Sequence, residues 1–283
     1  MIAGTLITIR EGLEAFLIVG ILIGYLTKVN RPHFKIHVWI GTIAALAVSA
    51  LLAALFQFMA FQFEGTAAEL FEAVVALLAV GVLTWMVLWM QRQGRGVKGE
   101  LEQKADEAIS SGQAFALGSL AFVSVLREGV ETALFLSALL VTSREAQLLQ
   151  GAVLGLVIAA GITYLLFRSA IRLNLKSFFV VTGLFLILIA AGLVGHSVMA
   201  LQDVGWLSIG TTTAWNLQGL IPNEGLTGRL LHAFFGYESA PSVFMVLAYV
   251  FYVIFFGSQF VRAIRQSPLK PQSSLARSEA PVL

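Results

Sequence analysis

Long apolar runs alternate with short polar connections along almost the whole chain. Seven runs reach the length of about 20 residues that a helix needs to cross a bilayer: 4–27, 36–61, 66–90, 115–141, 147–168, 177–201 and 242–262. The pattern predicts an all-α polytopic membrane protein with seven transmembrane helices. Two connections are long. Residues 91–114 are polar and mixed in charge, and read as a cytoplasmic loop. Residues 202–241 are longer and only partly polar. Trp206, Leu207, Ile209, Trp215, Leu217, Leu220 and Ile221 suit the membrane interface, where Trp is favoured. Within this loop, 228–237 are expected as a short interfacial helix. The tail, 266–283, carries Pro268, Pro271, Pro281 and several Ser, and is expected to be disordered.

Composition strengthens the membrane reading. The chain is 58% hydrophobic and 12% charged, which leaves too little charge to cover a soluble domain of 283 residues. Cysteine is absent, which excludes disulfides, thiolate metal sites and cysteine-ligated iron–sulfur clusters. No basic region precedes the first apolar run, so no cleavable signal is expected. The net charge of +2 matters less than its distribution. Fourteen Lys and Arg fall in the connections after the first, third and fifth runs and in the tail, and only Arg144 and Arg229 fall on the other side. Basic residues mark the cytoplasmic face, so the N-terminus is expected outside, the C-terminus inside and the 202–241 loop outward. This balance suits a bacterial inner membrane. No nucleic-acid partner is expected.

The two remaining basic residues, Arg10 and Arg127, lie inside apolar runs. Arg10-Glu11-Gly12-Leu13-Glu14 interrupts the first run and Arg127-Glu128-Gly129-Val130-Glu131 the fourth. A charge at the centre of a membrane helix costs about 2.5–3.5 kcal/mol on insertion scales, so intramembrane charges mark a pathway for something charged. Acids outnumber bases, which points to a cation. Each pentapeptide opens a group of three runs, and the two groups enter the membrane from opposite sides. Residues 1–90 and 115–201 therefore read as inverted three-helix repeats, with 242–265 as an appended seventh helix. Such repeats place substrate sites near the midplane, at their interface. The repeat is imperfect: the third run carries Glu69 and Glu72, whereas the sixth offers only His196.

Helical residues three or four apart share a face. Glu11 and Glu14 therefore share one, as do Glu128 and Glu131, and Glu69 and Glu72. If all three pairs converge, six carboxylates meet. Carboxylates are hard oxygen ligands suited to oxidised iron, manganese, magnesium or calcium. Copper(I) would want Cys or clustered Met, and the six methionines are scattered. Arg10 and Arg127 are expected to hold the carboxylates ionised and oriented. The two Glu-x-x-Glu pairs with their arginines have a formal charge of −2, and recruiting Glu69 and Glu72 would bring it to −4, better matched to a trivalent ion. Blander readings stand beside these. The arginine–glutamate sets could be structural ion pairs, Glu69 and Glu72 interfacial, Glu64 solvated, and His196 a packed histidine. Gly20-x-x-x-Gly24 and Gly151-x-x-x-Gly155 have the spacing of helix packing.

The doubled motif and its placement resemble the oxidase-dependent iron permease family, which includes the fungal high-affinity permeases and the bacterial EfeU-type permeases. The resemblance extends from residue 1 to about 265. It implies inward transport of iron, usually as ferric ion made by a partner oxidase, with iron as substrate and no permanent cofactor. It also implies that Glu11, Glu14, Glu128 and Glu131 handle the metal, supported by Arg10 and Arg127. A cupredoxin-like or peroxidase protein is the kind of partner expected outside. Fungal members carry acidic motifs in outer loops; here only separated acids occur, Asp203, Glu224 and Glu238. Two other functions remain open. One is a transporter of another hard divalent cation, such as ferrous iron or manganese. The other is an intramembrane glutamate protease, although such chemistry wants several intramembrane histidines. A homo-oligomer also remains open.

The orientation is testable directly. A cysteine at Ser208 should be labelled from outside by an impermeant reagent, and one at Lys98 should not; labelling of Lys98→Cys from outside would reverse the topology.

Overall fold

A computed structural model describes residues 2–93, 97–110, 114–143, 147–168, 175–223 and 225–266. The tail expected to be disordered, apart from Gln266, and Glu224 lie outside the described residues. Each apolar run is a helix: α1 (Ile2–Lys28), α2 (Lys35–Gln62), α3 (Thr66–Gln93), α5 (Ala114–Ser143), α6 (Gln147–Arg168), α7 (Leu175–Asp203) and α9 (Val243–Gln266). Two shorter helices, α4 (Val97–Ser110) and α8 (Leu226–Phe235), sit in the long connections. In hydrocarbon, a spanning segment must satisfy its own backbone polar groups, and the helix does so within one segment. Five helices are long and apolar enough to cross a membrane, over Pro32–Ala60, Thr66–Gln91, Gln147–Arg168, Ser177–Asp203 and Val243–Gln266. α1 and α5, at 27 and 30 residues, are also long enough, but each carries the three charges of its pentapeptide.

The connection read as a cytoplasmic loop holds α4. Its average polarity hides a stripe at i, i+4 and i+7: Leu101, Ala105 and Ala108 are buried among residues of α1 and α5. On the exposed side Lys104 pairs with Glu100 at 2.7 Å. The short helix of the 202–241 connection covers 226–235 rather than 228–237. It ends at Gly236, whose φ of 63° suits glycine. Gly236 packs against Gly192 of α7 so closely that a Cβ on either would strike the other's Cα. Gly192 lies about 16 Å along the axis from the end of α7, at 1.5 Å per residue. The connection after α7 therefore folds back along α7 into the helical layer.

The most extensive packing joins α1 to α6 and α2 to α5, followed by α3 to α7. Glycines set both of the closest crossings. On α6, Gly155 meets Thr8 and the Thr5 carbonyl of α1, and the Thr5 hydroxyl donates to the Gly151 carbonyl at 3.0 Å. On α5, Gly118 lies against Gly41 of α2, and Gly129 lies against Ser49. The Gly151 and Gly155 pair thus serves packing, whereas Gly24 faces open space. Two apolar cores result. One gathers Ile7 of α1, Leu134 and Phe135 of α5, and the facing sides of α3, α7 and α9. The other gathers Ile18 and Leu22 of α1, Leu117 and Val125 of α5, and parts of α2 and α4. On both α1 and α5 the charged pentapeptide falls between the two cores.

Gly41→Leu should overpack the α2–α5 crossing and destabilise the protein by about 1–3 kcal/mol. Gly81→Leu, at a position with no neighbouring atom within 4 Å, should not. Thermal unfolding in detergent checks both; an unchanged melting temperature for Gly41→Leu would contradict the close crossing.

Candidate metal centre

The two pentapeptides meet because α1 and α5 pack against each other at the centre of the bundle. Both form their arginine contacts in the same way. Arg10 Nη1 donates to Glu11 Oε1 at 3.1 Å, and Nη2 lies 3.5 Å from Glu14 Oε1. Arg127 Nε donates to Glu128 Oε1 at 2.9 Å and lies 3.9 Å from Glu131 Oε1. Each guanidinium thus grips the glutamate that follows it and reaches the one a helical turn further on. Enclosure differs. The Arg10 side chain is 1% exposed and that of Arg127 40%, so one is sealed and the other only partly covered.

Glu11, Glu128 and Glu131 each present a carboxylate oxygen, and the three oxygens lie within 4.8 Å of one another. All three residues are buried. Glu14 joins them through Arg10. Among the described residues, Glu11 Oε2, Glu128 Oε2, Glu131 Oε2 and Glu14 Oε1 are buried without a hydrogen-bond partner. A buried carboxylate oxygen lacking a donor carries a large desolvation penalty. A cation between Glu11, Glu128 and Glu131 would give each of these three carboxylates a partner. The donor set is entirely oxygen and carboxylate, and therefore hard.

Glu69 and Glu72 lie elsewhere. They occupy the N-terminal end of α3, and Glu72 Oε2 lies 3.6 Å from His196 Nε2 of α7. Along α3, Glu72 is about 21 Å from Met86, the level of Arg10, at 1.5 Å per residue. The central cluster is thus built from two pairs, not three, and its formal charge is −2 rather than −4. Helix spacing shows which residues share a face, but not how far along the axis that face meets its neighbours. Of the separated acids of the 202–241 connection, Glu238 accepts hydrogen bonds from Asn223 and from the Ser239 N–H, which ties the loop together.

Three site residues escape a reading of the sequence. Methionines that look scattered along the chain are not scattered in space. Arg10 Nη1 donates to Met86 Sδ at 3.4 Å, and Nη2 to Met90 Sδ at 3.2 Å. The face of Trp89 lies 5.1 Å from the Arg127 guanidinium. Their only signal is the i, i+3, i+4 spacing on α3, which also fits ordinary helix packing.

Comparison with known proteins bears on this geometry. A family model described as "Iron permease FTR1 family" matches residues 1–264. A protein named "Ferrous iron permease EfeU" from Escherichia coli O6:H1 is 38% identical over 251 residues, covering 88% of this chain and 91% of that one. A protein of the same name from Yersinia pestis is 35% identical, covering 88% and 89%. The Escherichia coli K12 relative, 38% identical, is named "Putative inactive ferrous iron permease EfeU". No solved structure gives a significant match.

Arg10→Lys and Arg127→Lys should each weaken cation binding about tenfold or more, equivalent to about 1.4 kcal/mol. An ammonium is a point charge and cannot hold two carboxylates in a planar fork. Calorimetric titration of the purified variants with iron checks this; wild-type affinity would reduce the arginines to counter-charges.

Proposed function

This chain belongs to the iron permease FTR1 family, and on that premise we propose that it imports iron through the Glu11, Glu14, Glu128 and Glu131 cluster. It is a permease rather than an enzyme, as its relatives' names state. The single observation that carries the assignment is the set of three buried carboxylate oxygens within 4.8 Å, drawn from α1 and α5. In this reading, iron exchanges its water shell for these oxygens midway across the membrane. Arg10 and Arg127 keep the carboxylates aligned while the ion is absent.

The transport path has seven spans, with α1 and α5 as the two that carry the site. The packing pattern supports an inverted repeat. Exchanging α1 with α5, α2 with α6 and α3 with α7 maps the α1–α6 contact onto the α5–α2 contact. The same exchange maps the α1–α5 and α3–α7 contacts onto themselves. All four contacts are present. The N-terminus lies outside and the protein sits in the inner membrane, as the Lys and Arg distribution supports. Glu69 and Glu72, with His196, form an outer approach through which iron reaches the central cluster.

Charge balance supports ferrous iron as the bound species. Four carboxylates and two guanidiniums leave two negative charges, which a divalent ion neutralises. A ferric reading, with an oxidase docked on the outer loop, draws support from the all-oxygen donor set. Manganese import meets the same chemistry and is separated by competition.

Reconstituted in liposomes, the wild type should take up ferrous iron under reducing conditions, and Glu11→Ala and Glu131→Ala should each abolish uptake with normal insertion. Uptake of chelator-buffered ferric iron alone would favour the oxidase-linked reading. Full uptake by either variant would overturn the site.

A further inference from the structure

We propose that the inner end of α3 is a clamp that positions both motif arginines, through the sulfurs of Met86 and Met90 and the ring face of Trp89. This inference rests on the carboxylate site proposed above and adds residues to it.

Positions 86, 89 and 90 share one face of α3. From that face, Met86 and Met90 meet the two terminal nitrogens of Arg10, one sulfur each, at 3.4 and 3.2 Å. The same nitrogens face Glu11 and Glu14. The guanidinium is therefore gripped between two carboxylates and two thioethers. A thioether is a weak, neutral acceptor. It can fix the fork without drawing charge away from the carboxylates. An acid or a backbone carbonyl in its place would compete with Glu11 and Glu14 for the same protons.

Trp89 does the corresponding work for Arg127. The guanidinium carbon lies 5.1 Å from the ring centroid, within the range of a cation–π contact. Trp89 is itself braced by Trp85, with ring centroids 6.0 Å apart and planes 24° from parallel. Arg127 lacks the full enclosure of Arg10, and the ring face covers the cation while leaving its N–H groups for Glu128 and Glu131.

The asymmetry favours a positioning role over incidental packing. Under the exchange of α3 with α7, Arg127 would turn to α7, as Arg10 turns to α3. Instead both arginines turn to α3. One helix thus touches the charged groups of both repeats, and a movement of α3 would shift the two halves of the site together.

The test measures iron uptake by the reconstituted full-length chain, with half-saturation and maximum rate determined separately. Site-specific mono-, di- and trifluorinated tryptophans at position 89 weaken the ring's attraction for a cation at nearly constant size. They should raise the half-saturation concentration stepwise, to about threefold to tenfold, with maximum rate and melting temperature unchanged. The volume-conserving double variant Met86→Leu/Met90→Leu should raise it similarly. A flat fluorination series, or losses that follow a falling melting temperature, would overturn the clamp. Glu131→Gln is measured alongside. If it transports normally, the carboxylate site itself fails. If it loses uptake while the fluorinated series stays flat, only the clamp fails.

Discussion

A guanidinium cannot shed its charge inside a protein, and the Arg10 side chain is almost completely enclosed. Much of the bundle's centre is arranged around that constraint. Glu11 and Glu14 meet it from its own helix, and Met86 and Met90 meet it from α3. The second motif adds two more carboxylates and one more guanidinium, so the formal charge of the layer is −2. Isolated in hydrocarbon this layer would be strongly unfavourable. Between the two apolar cores, with α1 and α5 in contact, it brings the carboxylates of Glu11, Glu128 and Glu131 within 4.8 Å of one another.

The helices around the site can approach it only because small residues line the crossings. Gly155 lets α6 lie on Thr5 and Thr8 of α1, and Gly41, Gly118 and Gly129 let α2 lie on α5. Lipid tails are as apolar as Leu, so close backbone approach and hydrogen bonding supply the association that the hydrophobic effect does not. α1 and α5 are thereby held at the centre, and broad apolar faces of α2, α6 and α9 remain outward, with Ile43, Leu51, Val153, Val157, Phe251 and Ile254 well exposed. Beyond the C-terminal end of α7, the contact of Gly236 with Gly192 draws the α8 segment back along α7. At the opposite end of the bundle, α4 rests on α1 and α5, the two motif helices.

The apolar runs, their lengths and the paired pentapeptides were all legible in the chain, because a helix in hydrocarbon must be long and apolar, and any charge within it stands out. Glu11, Glu128 and Glu131 come together in space, and their helical spacing already placed the acids of each motif on one face. Other features depended on distances between helices, which no spacing along one helix contains. Glu69 and Glu72 have the same i, i+3 signature as the motif acids, yet Glu72 lies about 21 Å along α3 from Met86, and Glu69 lies farther still. Met86 and Met90 look like core filler until Arg10 arrives from 76 and 80 residues away. The stripe of α4 was visible only once α1 and α5 supplied the surface that buries it. Sequence alone determined which segments must be helices and which charges are out of place in them, since both follow from the cost of exposing polar groups to hydrocarbon. The tertiary structure decided which of those charges meet, at what depth, and what holds them, because these depend on the offset between packed helices.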